Sequence, residues 1–184
     1  MKKIFSKGVV LTLMGVFFTS LLFAQQDKSK RASPPETATG TVAGSKITIN
    51  YSSPAVKGRK IWGDLVPYGK VWRLGANEAT TFQTSKDIMV EGKKLPAGTY
   101  ALYALPTPNE WTFIFNSTLT QGGKPIWGIK DEAGTTTDDP KTEVLRVMAK
   151  PEKSSTFNER MKIVVSNSGF AVEWENLKVP VSIK

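Results

Sequence analysis

Apolar residues in this chain recur at every second position, in short runs broken by Gly, Pro, Asn and Asp, and no stretch of ten residues carries a 3.6-residue period. That pattern fits half-buried strands and excludes an amphipathic-helix architecture. Ile47, Ile49 and Tyr51 take one side of a run whose other side is Lys46, Thr48 and Asn50. Further strands are expected at 80–84, 87–91, 99–105, 110–116, 144–149, 160–165, 170–175 and 179–183, with a short one at 71–73. In 110–116 the apolar residues fall on both sides, as in a strand between two packed layers. Residues 92–98, with two Gly and one Pro, read as a hairpin connection, and Asn167-Ser168-Gly169 as a tight turn. Strands at this spacing imply an all-β chain: one antiparallel β-sandwich or jelly-roll-like domain over 41–184, with a closed barrel as the alternative.

Two missing residue types narrow the chemistry. The chain has no His and no Cys, so it cannot build a Ser-His-Asp or Cys-His nucleophile and forms no disulfide. A structural zinc site lacks its usual ligands, and no P-loop or dinucleotide-binding glycine pattern is present. No metal or cofactor is expected. The fold therefore rests on its apolar core, which a domain of this length can supply.

Lys2, Lys3 and Lys7 precede the uncharged run from Gly8 to Phe23, and Ala24 ends it. This is the three-part layout of a signal peptide over 1–24, and the run is shorter than the roughly 20 residues a spanning helix needs. The expected location is the periplasm or the cell exterior, with membrane contact only during export. Residues 25–40 show no apolar periodicity and read as a flexible lead-in. The net charge of +9 loses three lysines with the leader. Because the remaining lysines are dispersed and the protein is exported, no nucleic-acid partner is expected. The basic surface is read as solubilising, with acidic glycans or lipid head groups as compatible polyanions.

Residues 52–79 and 117–142 interrupt the alternation. The first is punctuated by Pro54, Gly58, Gly63, Pro67 and Gly69, yet carries Ile61, Trp62, Leu65, Val66 and Tyr68. A loop this apolar has to fold back onto the body. Arg59, Trp62, Trp72, Arg73, Asn77 and Glu78 are the candidate ligand-binding residues, since aromatic faces beside groups that fix orientation make a pocket. They are expected to converge at one end of the domain. The competing reading is structural: Trp62 and Trp72 plug an open end, Arg73 pairs with Glu78, and Asn77 takes a left-handed turn conformation. Carboxylate-pair hydrolysis through Glu78 with Asp64 or Glu143 is a third reading. The acidic run 131–139 departs from the calcium-loop pattern and reads as a solvated loop. The function expected is a non-catalytic module binding a glycan or small molecule. An envelope interaction or assembly protein and a carboxylate-dependent hydrolase are the alternatives, and no catalytic residue is assigned.

Several words of the sequence together resemble a known family. They are Ser53-Pro54 with Lys57-Gly58-Arg59, Ile61-Trp62-Gly63, Leu65-Val66-Pro67-Tyr68-Gly69, and Val71-Trp72-Arg73 with Gly75-Ala76-Asn77-Glu78-Ala79-Thr80. Leu95 to Tyr100, Glu110-Trp111-Thr112, Ile114-Phe115-Asn116 and the Trp174 strand complete the set. The chain resembles, over about 45–183, the bacterial exported proteins grouped as domain of unknown function 2911. It departs from them after Trp127-Gly128, where an acidic stretch follows without the family's usual Tyr. The resemblance implies domain extent and export, and no activity.

Overall fold

Backbone hydrogen bonding in the computed structural model follows the period-two pattern. It describes residues 27–121, 124–125, 129–130, 136–137 and 139–184. The leader, Trp127 and most of the acidic run 131–139 lie outside the described residues. Among them there is one 3₁₀ turn, Lys28–Lys30, and no α-helix. The first seven strands are β1 (Pro35–Val42), β2 (Ser45–Ser52), β3 (Thr80–Thr84), β4 (Ile88–Val90), β5 (Lys93–Leu95), β6 (Gly98–Pro106) and β7 (Trp111–Asn116). Four two-residue strands follow: β8 (Thr120–Gln121), β9 (Lys124–Pro125), β10 (Ile129–Lys130) and β11 (Thr136–Thr137). β12 (Glu143–Ala149), β13 (Glu152–Ser166) and β14 (Gly169–Ser182) close the chain.

β1, β2, β3, β6, β7 and β12 form a six-stranded antiparallel sheet in that order. β13 and β14 form a long hairpin closed at Ser166 and Gly169, and β4–β5 a short one. The all-β, antiparallel expectation holds. Phe82, Leu102 and Phe113 of the sheet share one apolar cluster with Phe170, Val172 and Trp174 of the hairpin. The hairpin is therefore the layer that covers one sheet face. Tyr51 ties the two layers, its hydroxyl accepting from the Ile163 backbone N–H at 3.1 Å. β7 is buried on both sides as its sequence predicts: Trp111, Phe113 and Phe115 join the large cluster, and Ile114 joins a smaller one with Ala79, Ala101 and Tyr103.

Three expectations are corrected. Residues 35–40, assigned to a flexible lead-in over 25–40, belong to β1, paired with β2 from Pro35↔Ser52 to Val42↔Ser45. The alternation is faint there because only Ala38 and Val42 of this strand are buried. A Cβ on Gly40 would lie 2.8 Å from Val165 Cγ1, so the strand presses closely onto β13. Lys93–Leu95 is a strand and not merely a connection, with Glu91 and Gly92 making its turn. The two closing strands 170–175 and 179–183 are one, β14; Glu175 at φ 55° marks a register shift without ending it.

Candidate functional site

The irregular stretch after β2 is fastened along its length. Ser53 Oγ donates to the Met161 carbonyl at 2.6 Å, Met161 N–H to the Pro54 carbonyl, and Val56 N–H to the Glu159 carbonyl. The chain thus starts as a short partner of β13. Ile61 and Val66 are buried and joined by a Val66 N–H to Ile61 carbonyl bond of 2.9 Å, which closes a small knot over the core. Leu65 and Tyr68, on the rim of that knot, remain exposed. Farther on, Trp72 exchanges both backbone hydrogen bonds with Ala104, at 2.7 and 2.8 Å. Gly75 follows where a Cβ would meet the Ser52 carbonyl at 2.9 Å, and the Thr80 hydroxyl holds the Leu74 carbonyl at 2.6 Å.

Four tryptophans meet where this loop crosses the core. Trp62 lies 5.2 Å from Trp111, 5.7 Å from Trp174 and 6.2 Å from Trp72, centroid to centroid, all edge to face. Trp72 and Trp174 stack at 6.0 Å with planes 21° apart. The Trp72 indole N–H donates to the Gly75 carbonyl at 3.1 Å. The indole N–H groups of Trp62 and Trp174 are buried without a partner among the described residues.

Beside this cluster lies a cleft of about 200 Å³, lined by Arg59, Leu65, Trp72, Arg73, Trp174 and Ser33 among others. Arg59 folds back on its own loop, giving its Nε–H to the Val56 carbonyl at 3.0 Å and an Nη2–H to the Ala55 carbonyl. Arg73 gives its Nε–H to the Asn77 carbonyl at 2.8 Å. No carboxylate pairs with either guanidinium among the described residues. Arg73 is half-buried, and that desolvation draws its pKa below the ordinary arginine value.

Of the six expected residues, Arg59, Trp72 and Arg73 line this cleft, and Trp62 packs directly behind Trp72. Asn77 has the expected left-handed backbone, φ 55°, and its side-chain amide donates to the Ser33 carbonyl at 3.0 Å. Glu78 turns elsewhere. The expected Arg73–Glu78 pair does not form; Glu78 binds Arg31 at 2.9 Å and Lys28 at 3.1 Å. Burial pushes the Glu78 carboxyl up, but bonds from its own backbone N–H, Arg31 and Lys28 outweigh it and hold the pKa below the ordinary 4.5. Glu78 lines a separate cleft of about 230 Å³ with Lys28, Asn50, Tyr51 and Leu119. That cleft is the larger, but its carboxylate already has both cations it needs.

Sequence reasoning missed Ser33, Leu65 and Trp174. Trp174 was legible only as a core position, alternating with Phe170 and Val172. Leu65 carried a signal: an apolar residue in a loop punctuated by Gly and Pro.

The remaining question is what other chains share this arrangement. Residues 33–183 match the family described as protein of unknown function (DUF2911). This chain belongs to that family. The match begins at Ser33, the residue whose carbonyl holds Asn77, so it takes in β1 as well as the loop. No curated protein and no solved structure matches the chain.

Proposed function

We propose that this protein is an exported, non-catalytic ligand-binding module that takes a glycan or another small ring-containing molecule in the Trp72 cleft. One observation carries the reading: two indole rings, Trp72 and Trp174, and two guanidinium groups line a single cleft whose lining includes no carboxylate side chain. Flat rings supply contact area and the cations fix orientation, as ligand pockets require. A general acid or base pair has no residue to supply it there. Glu78 is committed to Arg31 and Lys28, and Glu143 grips Arg146 at 2.7 Å, so the hydrolase reading gains no support. The signal-peptide layout of residues 1–24 supports a periplasmic or extracellular site of action.

The reading is tested by following tryptophan emission and melting temperature during titration with a panel of mono- and oligosaccharides. A ligand present at 100 times its Kd stabilises by about 2.7 kcal/mol, and substitution of Trp72 by Ala is expected to abolish both responses. Responses that survive Trp72→Ala place the ligand elsewhere. A second reading, an envelope interaction protein, draws on the exposed Leu65, which lines the cleft, and the exposed Tyr68 three residues on. It predicts that Leu65→Ser with Tyr68→Ser removes a protein partner while leaving saccharide responses unchanged.

A further inference from the structure

The two guanidinium groups define what the ligand has to carry. A guanidinium holds five N–H donors in a planar fork and no acceptor. Arg73 spends its Nε–H on Asn77, which leaves the four donors of Nη1 and Nη2 without an acceptor among the described residues. Arg59 spends Nε–H and one Nη2–H on backbone carbonyls, which leaves three without an acceptor among the described residues. The surrounding loop, residues 52–79, adds Lys57, Lys60 and Lys70 against two carboxylates only, Asp64 and Glu78. Glu78 is withdrawn by Arg31 and Lys28. The half-burial of Arg73 makes its lone charge costly until an anion arrives. The anions suited to such forks are a carboxylate and a phosphate, each taken in bidentate fashion. The cleft, at about 200 Å³, is smaller than the roughly 300–1,000 Å³ of drug-sized pockets. It has room for one ring, or for the end unit of a longer chain.

We propose that the cleft binds a ring-bearing carboxylate, the class that includes hexuronic acids, with Arg59 and Arg73 holding the carboxylate and Trp72 holding the ring. This rests on the cleft being a ligand site, as proposed above, and names the chemistry of what enters it. A neutral sugar's oxygens can accept from these guanidinium donors but bring no charge to offset the half-buried Arg73 cation. A bare phosphate can satisfy them but makes no use of the indole rings that line the cleft.

The probes are glucuronate, galacturonate and benzoate, with glucose and inorganic phosphate as counterparts lacking the charge or the ring, each titrated against the intact protein. The expected result is a saturable change in tryptophan emission with at least one acid, and at least a tenfold weaker response to glucose and to phosphate. Arg59→Gln and Arg73→Gln are each expected to weaken the acid at least tenfold. Arg59 is exposed but gives two hydrogen bonds to its own loop, so the melting temperature of Arg59→Gln is measured beside wild type to separate a loss of binding from a loss of fold. Glucose binding as well as the acids, unaffected by Arg59→Gln, overturns the carboxylate while the ring-binding reading stands. Phosphate binding as tightly as the acids overturns the ring. Silence from all five probes overturns the proposal; if neutral oligosaccharides still bind through Trp72, the broader reading survives it.

Discussion

Phe82, Phe113, Phe115 and Phe170 pack with centroids 5.1–5.8 Å apart, and strands β3, β7 and β14 supply all of them. Trp62, Trp72, Trp111 and Trp174 pack over a similar range, 5.2–6.2 Å, but only Trp111 and Trp174 come from strands. The irregular loop delivers the other two. At the phenylalanine end the four rings are apolar, and the hydroxyl of Tyr100, which packs on Phe115, is satisfied by the Pro96 carbonyl. At the tryptophan end two indole N–H groups are buried unpaired and two arginines face a cleft without carboxylates. Burial without satisfaction costs stability. One half of the core is thus arranged to hold the fold, while the other carries unsatisfied groups beside the cleft.

The largest effect that tests this contrast is Phe82→Ala. Phe82 has no exposed surface and touches both Phe115 and Phe170, so its removal leaves a cavity between the layers. A loss of about 3–5 kcal/mol in denaturant-derived unfolding free energy is expected, with the cleft's ligand response intact in the folded fraction. A loss of ligand response as well would mean that the two ends are one cooperative unit.

A smaller effect is expected from Trp62→Phe. The substitution gives up ring area in a packed cluster, but it also removes a buried donor whose lack of a partner costs about 1–3 kcal/mol. The opposing contributions leave a net change within about 1 kcal/mol, measured as a shift in denaturation midpoint at unchanged slope. A loss comparable to that of Phe82→Ala would erase the distinction between the two ends.

The same contrast explains what was legible in the sequence. β2, β3, β6, β7 and β12 announce themselves because one face, or both, must be apolar, and alternation records that constraint directly. β1 and β5 do not, since Pro35–Val42 buries two side chains and Lys93–Leu95 only Leu95. Asn176, Leu177 and Lys178 separate the two strands expected at 170–175 and 179–183, while the backbone runs through them with a bulge at Glu175. At the site, Arg59, Trp62, Trp72 and Arg73 were readable because they fall within one short stretch. Trp174 and Ser33 were not, because they arrive from the last strand and the first described residues. Glu78 was misread for the same reason. Its partners Lys28 and Arg31 sit in a segment whose composition resembles a linker, and only the fold brings them about fifty positions forward along the chain.

The smallest expected effect concerns that corner. Because the Glu78 carboxyl is held below its ordinary 4.5, its pairing stabilises the fold fully above that value. The contribution fades as pH falls through the lowered pKa, where the proton displaces Arg31 and Lys28. Asp27 and Asp87 are also held low by hydrogen bonds, so the total acid response does not isolate Glu78. The difference between wild type and Glu78→Gln does. The melting-temperature gap between them is expected to be open near neutral pH and to close on acidification from about pH 4.5 downward. The tryptophan cleft contains no carboxylate, so its emission should not change over the same interval while the protein stays folded. If the gap persists below that range, glutamine is disrupting packing rather than removing a charge. If cleft emission follows the gap, the strap of residues 27–34 is coupled to the site through the Asn77–Ser33 bond, and the two corners are not independent.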